Sequence, residues 1–304
     1  WNESIKNLHN SKDSKNITSK SYRRIVFDEL CANFLTLSKN RKRIKKKKIP
    51  KKFDQNFTEI IEKKLPFKLT NSQKQVLSEI NLDLQSAKRM FRIIQGDVGS
   101  GKTIVSLLAI INTIKSNYQT ALMSPTEILS RQHYNLAKMI FKHMDIRIEF
   151  LTGKTEYKKR KEILSNISSG KIDLLIGTHA LFQKKILFKK LGLVVIDEQH
   201  KFGVKQRSDL AKKGGDNCDV LLMSATPIPR TMMMSLYGDM DVSKITEKPA
   251  QRKKILTLSK PEKKVSELWP FIKKQIEIGN QIFWVCPLIE KSAFLDYSSA
   301  KKKN

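Results

Sequence analysis

Cysteine is scarce and scattered in this sequence. Cys31, Cys218 and Cys286 make an odd total of three, with no paired or metal-type spacing. That argues against a disulfide framework and for free thiols in a reducing compartment. Cys218 and Cys286 fall in or beside apolar runs, where cysteine acts as a small hydrophobe. The five histidines are equally unpaired, so a metal site built from side chains alone is not expected. No apolar run approaches the roughly 20 residues of a membrane-spanning helix. The opening WNESIKNLHN lacks the basic-then-apolar layout of a secretory signal, so the expected location is the cytoplasm, away from a membrane. An initiator methionine is also missing, which suggests a fragment or a processed N-terminus. No repeat of 20–50 residues is visible.

Acidic residues are outnumbered: 59 Lys and Arg against 29 Asp and Glu give a formal charge of +30. A polyanion is the partner this implies. A Lys-, Asn- and Ile-rich composition gives the same total with no binding at all, and lysine is a weaker signal than arginine for fixed phosphate recognition. The run Arg41–Lys42–Arg43 followed by Lys45 to Lys48 reads as a solvated segment.

The feature the sequence does have is a change of pattern along its length. Residues 1–65 are polar and basic around one amphipathic stretch, YRRIVFDELCANFLTL. There Ile25, Leu30, Phe34 and Leu37 recur near helical spacing, predicting a helix that packs on something. Pro50 and Pro66 mark the next boundaries. From 66 to 250, short β-branched runs alternate with helix-length segments: FRIIQ (91–95), QTALM (119–123), IRIEFL (146–151), IDLLIG (172–177), LGLVVI (191–196) and DVLLM (219–223). Near-continuous apolar strands separated by helices predict an α/β fold, a parallel sheet with helices on both faces. Residues 251–304 start the theme again with KILTL (254–258), a helix through SELWPFIKKQIEI and QIFWVC (281–286). They supply too few strands for a stable sheet.

GDVGSGKT, from Gly96 through Asp97, Val98, Gly99, Ser100, Gly101 and Lys102 to Thr103, matches G-x-x-x-x-G-K-[ST]. Glycines let the backbone curl so that successive amides face a phosphate. Lys102 would reach the outer phosphates of ATP, Thr103 would place its hydroxyl on Mg²⁺, and the helix starting there adds its positive end. A strand before the motif and an amphipathic helix after it are the context such a loop requires. The string LVVIDEQH then sets Asp197 and Glu198 at the end of a buried strand, where open α/β sheets bind ligands. Asp197 is placed to hold Mg²⁺ through water, and Glu198 to orient and deprotonate the attacking water. His200, in the same tetrapeptide, links the nucleotide site to the segments downstream.

Taken together, these boxes resemble those of the superfamily 2 helicases, whose Walker B box is written D-E-x-H or D-E-A-D. FKLTNSQ (67–73) is similar to the adenine-recognising Q motif, with Gln73 as its glutamine. SPTEILSRQHY (124–134) is similar to motif Ia and GTHALFQ (177–183) to motif Ib. SATPIPRT (224–231), which contains Ser224 and Thr226, is similar to motif III, which couples hydrolysis to strand movement. DEQHKFGVKQR, MSATPIPRTMMMSLYGDMDVS and FWVCPLIEKS narrow the resemblance to the RecG family. A motor of the transcription-repair coupling factor type shares ATPIPRT but diverges around LYGDMDVS and CPLIE. Lys201 and Ser224 stand where the family usually has arginine and threonine, and both keep a donor group.

The resemblance implies a RecA-like P-loop NTPase domain at 66–250. A helical segment joining a wedge domain to the motor would precede it, and the truncated start of a second RecA-like lobe would follow. It implies an ATP-dependent DNA helicase, acting as a monomer on branched or fork DNA in recombination and repair. Single-stranded DNA would cross the strand ends, with Thr126 and Thr178 as candidate phosphate contacts; both residues would equally serve as helix caps.

No motif VI string occurs after residue 250, and Arg252 is the one arginine there. An arginine finger is worth roughly 10³–10⁵ in rate, or about 4–7 kcal/mol of barrier. The expectation is therefore a piece of a helicase, truncated at both ends and inactive alone. A nucleotide- and DNA-binding remnant without motor activity is the alternative.

Overall fold

The computed structural model describes residues 1–9, 19–44, 46–54, 61–62, 65–183, 185–198, 213–226, 240–249 and 256–285. The chain divides into two units, Trp1–Gln251 and Arg252–Asn304.

The first unit is built on seven strands among the described residues: β1 (Phe91–Gly96), β2 (Gln119–Met123), β3 (Ile148–Leu151), β4 (Leu174–Gly177), β5 (Leu191–Ile196), β6 (Asp219–Ser224) and β7 (Asp241–Ile245). They form one sheet in the order β3-β4-β2-β5-β6-β1-β7, and every pairing is parallel. Every residue of β2, β4, β5 and β6 is buried, because alternate side chains enter two different cores. Leu122, Leu193, Val195 and Leu221 join one cluster, while Ala121, Val194, Ile196 and Leu222 join the other. Period-2 alternation with both faces apolar is the signature of a sheet covered on both sides.

On the first face lie α3 (Asn71–Gln85) and α4 (Lys102–Lys115). Helix α4 is buried along almost its whole length, from Lys102 to Thr113 except Thr103, as a central helix must be. Its apolar residues accordingly run all round rather than along one stripe. Helix α5 (Glu127–Ile140) comes after β2, and α6 (Tyr157–Ser169) after β3, burying Ile163 and Ile167 against the second core. The α/β architecture read from the sequence is present. The expected strands occur with small changes: β3 and β4 start at Ile148 and Leu174 rather than 146 and 172. Strand β7 is not among the predicted runs. DVSKI is half polar, and it pairs with β1 alone at the sheet edge, where half of the strand needs no apolar signal.

The C-terminal end of the lysine run departs from the sequence reading. Lys46 and Lys47 are exposed, but Lys48 and, just beyond the run, Lys51 are buried against Asp219 at the first residue of β6. Lys48 Nζ donates to both carboxylate oxygens at 2.8 and 2.6 Å, and Lys51 Nζ donates to Oδ2 at 2.6 Å. The Met90 amide adds a further bond to Oδ1 at 2.6 Å. Backbone bonds from Lys48 to Ala87 and from Lys51 to Leu84 stitch the same segment to the lobe, and the Lys51 ammonium sits 5.0 Å over the Tyr118 ring. Burial pushes the Lys48 ammonium below the usual lysine range, against the pull of Asp219. Alternation cannot reveal such a lysine, because its carboxylate lies 171 residues away in sequence.

Two further expectations are met in part. The amphipathic stretch does form a helix, α2 (Lys20–Ile44), which meets α1 (Asn2–His9). Its Phe27, Leu30, Phe34 and Leu35 are nevertheless exposed. In the second unit, α7 (Leu268–Glu277) forms as expected, after a 3-10 turn, Glu262–Glu267. Neither 256–258 nor 281–285 is a strand, and 254–255 and Cys286 lie outside the described residues. A strand without a neighbour has no ladder to stabilise it; here Trp269 and Trp284 stack instead, with centroids 5.3 Å apart.

Asp219→Asn should lower the unfolding free energy by about 3–5 kcal/mol, since it strands two buried ammoniums. Denaturant titration measures this, and a change within about 0.5 kcal/mol would show that the ion cluster does not hold the segment.

Candidate functional site

The phosphate-type loop spans the turn from β1 into α4. Gly99 and Gly101 take left-handed φ values of 77° and 88°, which explains glycine at both. A Cβ on Gly101 would lie 2.2 Å from Gln73 Nε2. No side chain caps the start of α4, so its positive end is open to an anion. Ser100 is buried, and its hydroxyl has no partner in the structure. Lys102 is 8% exposed, and its Nζ donates to the Gly96 and Asp97 carbonyls at 2.6 and 3.0 Å. Burial draws this ammonium below the usual lysine range; the nearby charges of Asp197, Glu198 and Asp97 pull the other way. Thr103 is half-buried one residue further along α4, and Val98 is exposed at the loop tip.

Gln73 lies beneath this loop. Thr70 caps α3 through a reciprocal capping box: Thr70 Oγ1 accepts from the Gln73 amide, and Gln73 Oε1 accepts from the Thr70 amide at 2.9 Å. Gln73 Nε2 donates to the Ser100 carbonyl at 2.7 Å. The amide read as an adenine reader therefore braces the phosphate loop in this state.

The acidic pair sits two strands away on the same rim, since β6 separates β5 from β1. Asp197 is 8% exposed, and its amide donates to the Met123 carbonyl at 2.8 Å. Its Oδ1 accepts from the Glu198 amide at 3.0 Å, and its Oδ2 lies 2.8 Å from His133 Nε2. Glu198 has φ 48°, a left-handed conformation uncommon outside glycine and typical of functional turns. Lys102, at the start of the helix after β1, and Asp197 and Glu198, directly after β5, stand at the same carboxyl-end rim of the parallel sheet. His200 and Lys201 lie outside the described residues.

Ser224 ends the intervening strand β6. Its hydroxyl lies 3.0 Å from Thr226 Oγ1 and accepts from the Thr226 amide at 3.2 Å, so the motif III turn stands between phosphate loop and acidic pair. Thr126 caps α5 by accepting from the Leu129 amide at 3.3 Å, and it is exposed. Thr178 starts a 3-10 turn, His179–Phe182, without capping it, and it is buried. Each comes after a strand end, β2 and β4, and those strands pair through Met123 and Gly177.

Sequence reasoning missed His133. Its signal is present: Ser130, His133 and Ala137 are the buried positions of α5, an inward stripe at helical spacing in which two of the three residues are polar. A buried polar residue needs a partner, and the strand ends supply both partners. Ser130 Oγ donates to the Gly177 carbonyl at 3.0 Å.

Comparison with known proteins gives the family. The family model described as DEAD/DEAH box helicase matches residues 70–235, more than half of the chain. The ATP-dependent DNA helicase RecG of Thermotoga maritima is 46% identical over 282 residues, covering 92% of this chain and 36% of that protein. RecG of Bacillus subtilis is 43% identical over 300 residues, covering 98% of this chain and 44% of that protein. The chain thus spans less than half the length of these relatives. A solved structure of RecG bound to a three-way DNA junction superposes with a TM-score of 0.76 at 42% identity, covering 86% of this chain and 35% of that one. The DUF1998 helicase MrfA, at 18% identity and a TM-score of 0.57 over 79% of this chain and 39% of that one, shares the fold.

Gly101→Ala should destabilise the lobe by roughly 2 kcal/mol, through the left-handed φ and the displaced Gln73 amide. Gly153→Ala, where a Cβ meets nothing within 4 Å, should stay within about 0.5 kcal/mol. Paired denaturant titrations test the contrast, and equal effects would show that Gln73 does not brace the loop.

Proposed function

The chain belongs to the DEAD/DEAH box helicase family and is of the RecG type, and on that premise we propose that it is the ATP-binding lobe of a motor that remodels branched DNA. The observation that carries this reading is the gathering of Lys102, Asp197 and Glu198 at one rim of the sheet.

The residues present fit a nucleoside triphosphate with a divalent cation. Left-handed glycines, an uncapped helix start and the unpartnered Ser100 hydroxyl offer donors to phosphate. Asp197, Glu198 and Asp97 each pull electrostatically on Lys102, and Asp97 also meets Lys248 at 3.5 Å. A bare polyphosphate would be repelled by the acidic pair. A divalent cation removes the conflict. Thr103 and Asp197 would hold Mg²⁺, which when bound supplies charge neutralisation on the phosphates. Lys102 exchanges the Gly96 and Asp97 carbonyls for phosphate oxygens. Glu198 takes the proton from water attacking the terminal phosphorus as the bond to ADP breaks. Ser224 and Thr226, between the two halves of the site, relay the change to the DNA side, and Gln73 adjusts the loop to adenine.

On the same rim Thr126 and Thr178 offer the start of α5 and of the 3-10 turn after β4 to a DNA backbone. The formal charge of +30 favours that polyanion. The family relative carried on a three-way junction supports branched or fork DNA as substrate, in recombination and repair, with the motor working as a cytoplasmic monomer. The 304 residues taken alone hold nucleotide but turn it over poorly, because they contain no arginine after Arg252 to stabilise the transition state.

Lys102→Ala should weaken binding of a fluorescent ATP analogue with Mg²⁺ at least tenfold, and an unchanged affinity would refute the site. The 304-residue chain should show no DNA-stimulated ATP hydrolysis above background. Robust turnover in a coupled phosphate-release assay would overturn the account of the missing arginine.

A further inference from the structure

The geometry points to His133 as a positioning residue for the metal-side carboxylate: its Nε2–H holds Asp197 in the orientation that receives the nucleotide's divalent cation. This inference rests on the nucleotide reading and adds to it a residue outside the phosphate loop and the acidic pair.

A carboxylate only accepts hydrogen bonds, so the 2.8 Å contact makes His133 Nε2 the donor and Asp197 Oδ2 the acceptor. The other oxygen, Oδ1, is taken by the Glu198 amide at 3.0 Å. Each oxygen therefore has one fixed donor and keeps a lone pair for a metal-bound water. With two donors from opposite sides the carboxylate cannot rotate about its terminal torsion, which is otherwise broad. Both side chains are almost out of solvent, at 9% and 12% exposure, so water cannot substitute for the imidazole. The helix that carries His133 is itself anchored: α5 is fastened to the end of β4 by Ser130 Oγ on the Gly177 carbonyl, one turn before His133. Nothing in the motif I or motif II strings requires a histidine here. The requirement is geometric, set where His133 on the buried stripe of α5 meets the residue that follows β5.

Partners that orient a metal-binding carboxylate typically change metal affinity 10–100-fold when removed. The test uses the full 304-residue chain and a fluorescent ADP analogue, titrated once in EDTA and once across a Mg²⁺ series. His133→Leu should bind the analogue as wild type does in EDTA, yet require at least about tenfold more Mg²⁺ for the metal-dependent gain. His133→Gln, whose terminal N–H can stand where Nε2 stood, should return to within about threefold of wild type. His133→Asn, whose amide stops short of Oδ2, should behave as the Leu variant does and replaces it should that variant fail to fold. A wild-type Mg²⁺ midpoint in both the Leu and Asn variants would overturn the inference. So would equal losses in EDTA for Leu, Asn and Gln, because they would mark a purely structural histidine. Asp197→Asn is the reference: if it shifts the Mg²⁺ midpoint and His133→Leu does not, the nucleotide reading survives and this inference alone falls. If wild type and Lys102→Ala bind the analogue equally, both fall together.

Discussion

In an all-parallel sheet each strand delivers the residue after its last one to the same edge, and here that edge collects side chains from five distant parts of the chain. Strand β1 brings the loop ending at Lys102, β2 brings the turn to Thr126, and β4 brings Thr178. Strand β5 brings Asp197 and Glu198, and β6 brings Ser224. From Gly96 to Ser224 their positions span 129 residues of sequence, while the ladder fixes their order across the rim. The strand order matters as much as the direction. Because β6 lies between β5 and β1, the acidic pair and the phosphate loop are two strands apart. The Ser224–Thr226 turn, at the end of β6, stands between them. Moving β6 to the sheet edge would keep every motif string and lose the site.

The two edges of the sheet are built for opposite ends. At the rim the backbone is left-handed at Gly99, Gly101 and Glu198, a hydroxyl is left without a partner at Ser100, and the Lys102 ammonium leans on two loop carbonyls. At the opposite edge, around Asp219, two ammoniums, an amide and a carboxylate meet at hydrogen-bonding distances with the side chains fully out of solvent. Both edges bury charge, yet only the one at Asp219 satisfies it within the chain. This asymmetry separates a stability device from a candidate binding site without reference to any relative: unsatisfied polarity is retained where a ligand would complete it.

Most of the sheet is legible in the sequence because its strands are buried on both faces, so their runs are continuous and β-branched, as in LGLVVI and DVLLM. Strand β7 is not legible. As an edge strand it carries an exposed Lys244, a half-buried Asp241 and a buried but polar Ser243, and its pairing with β1 depends on tertiary context. The phosphate loop and acidic pair can be read because their chemistry needs particular residues at fixed spacing within a few positions. Lys48 and His133 cannot, because each depends on a partner far along the chain: 171 residues in one case and 64 in the other. A one-dimensional pattern registers that a polar residue sits at an inward position, but not which group answers it. Helix α2 shows the converse. Its amphipathic pattern predicts the helix that forms, while Phe27 and Phe34 remain exposed. Periodicity reports that a face exists; it does not say where its cover comes from.

The arrangement around Asp197 also constrains how the site can work. Its carboxylate is reached by three independent elements: β5 carries it, α5 holds one oxygen through His133, and the turn into Glu198 holds the other. Helix α5 is capped by Thr126, seven residues before His133, so about 10 Å of helix lies between them at the usual rise per residue. A helix of that length is stiff, and Ser130 anchors it midway to the end of β4. A displacement at its start therefore cannot be absorbed locally by the helix. It must appear at the Ser130 and His133 contacts, and Asp197 is the group that one of those contacts fixes. One helix thus links the cap at Thr126, the end of β4 and the Asp197 carboxylate through three side-chain hydrogen bonds.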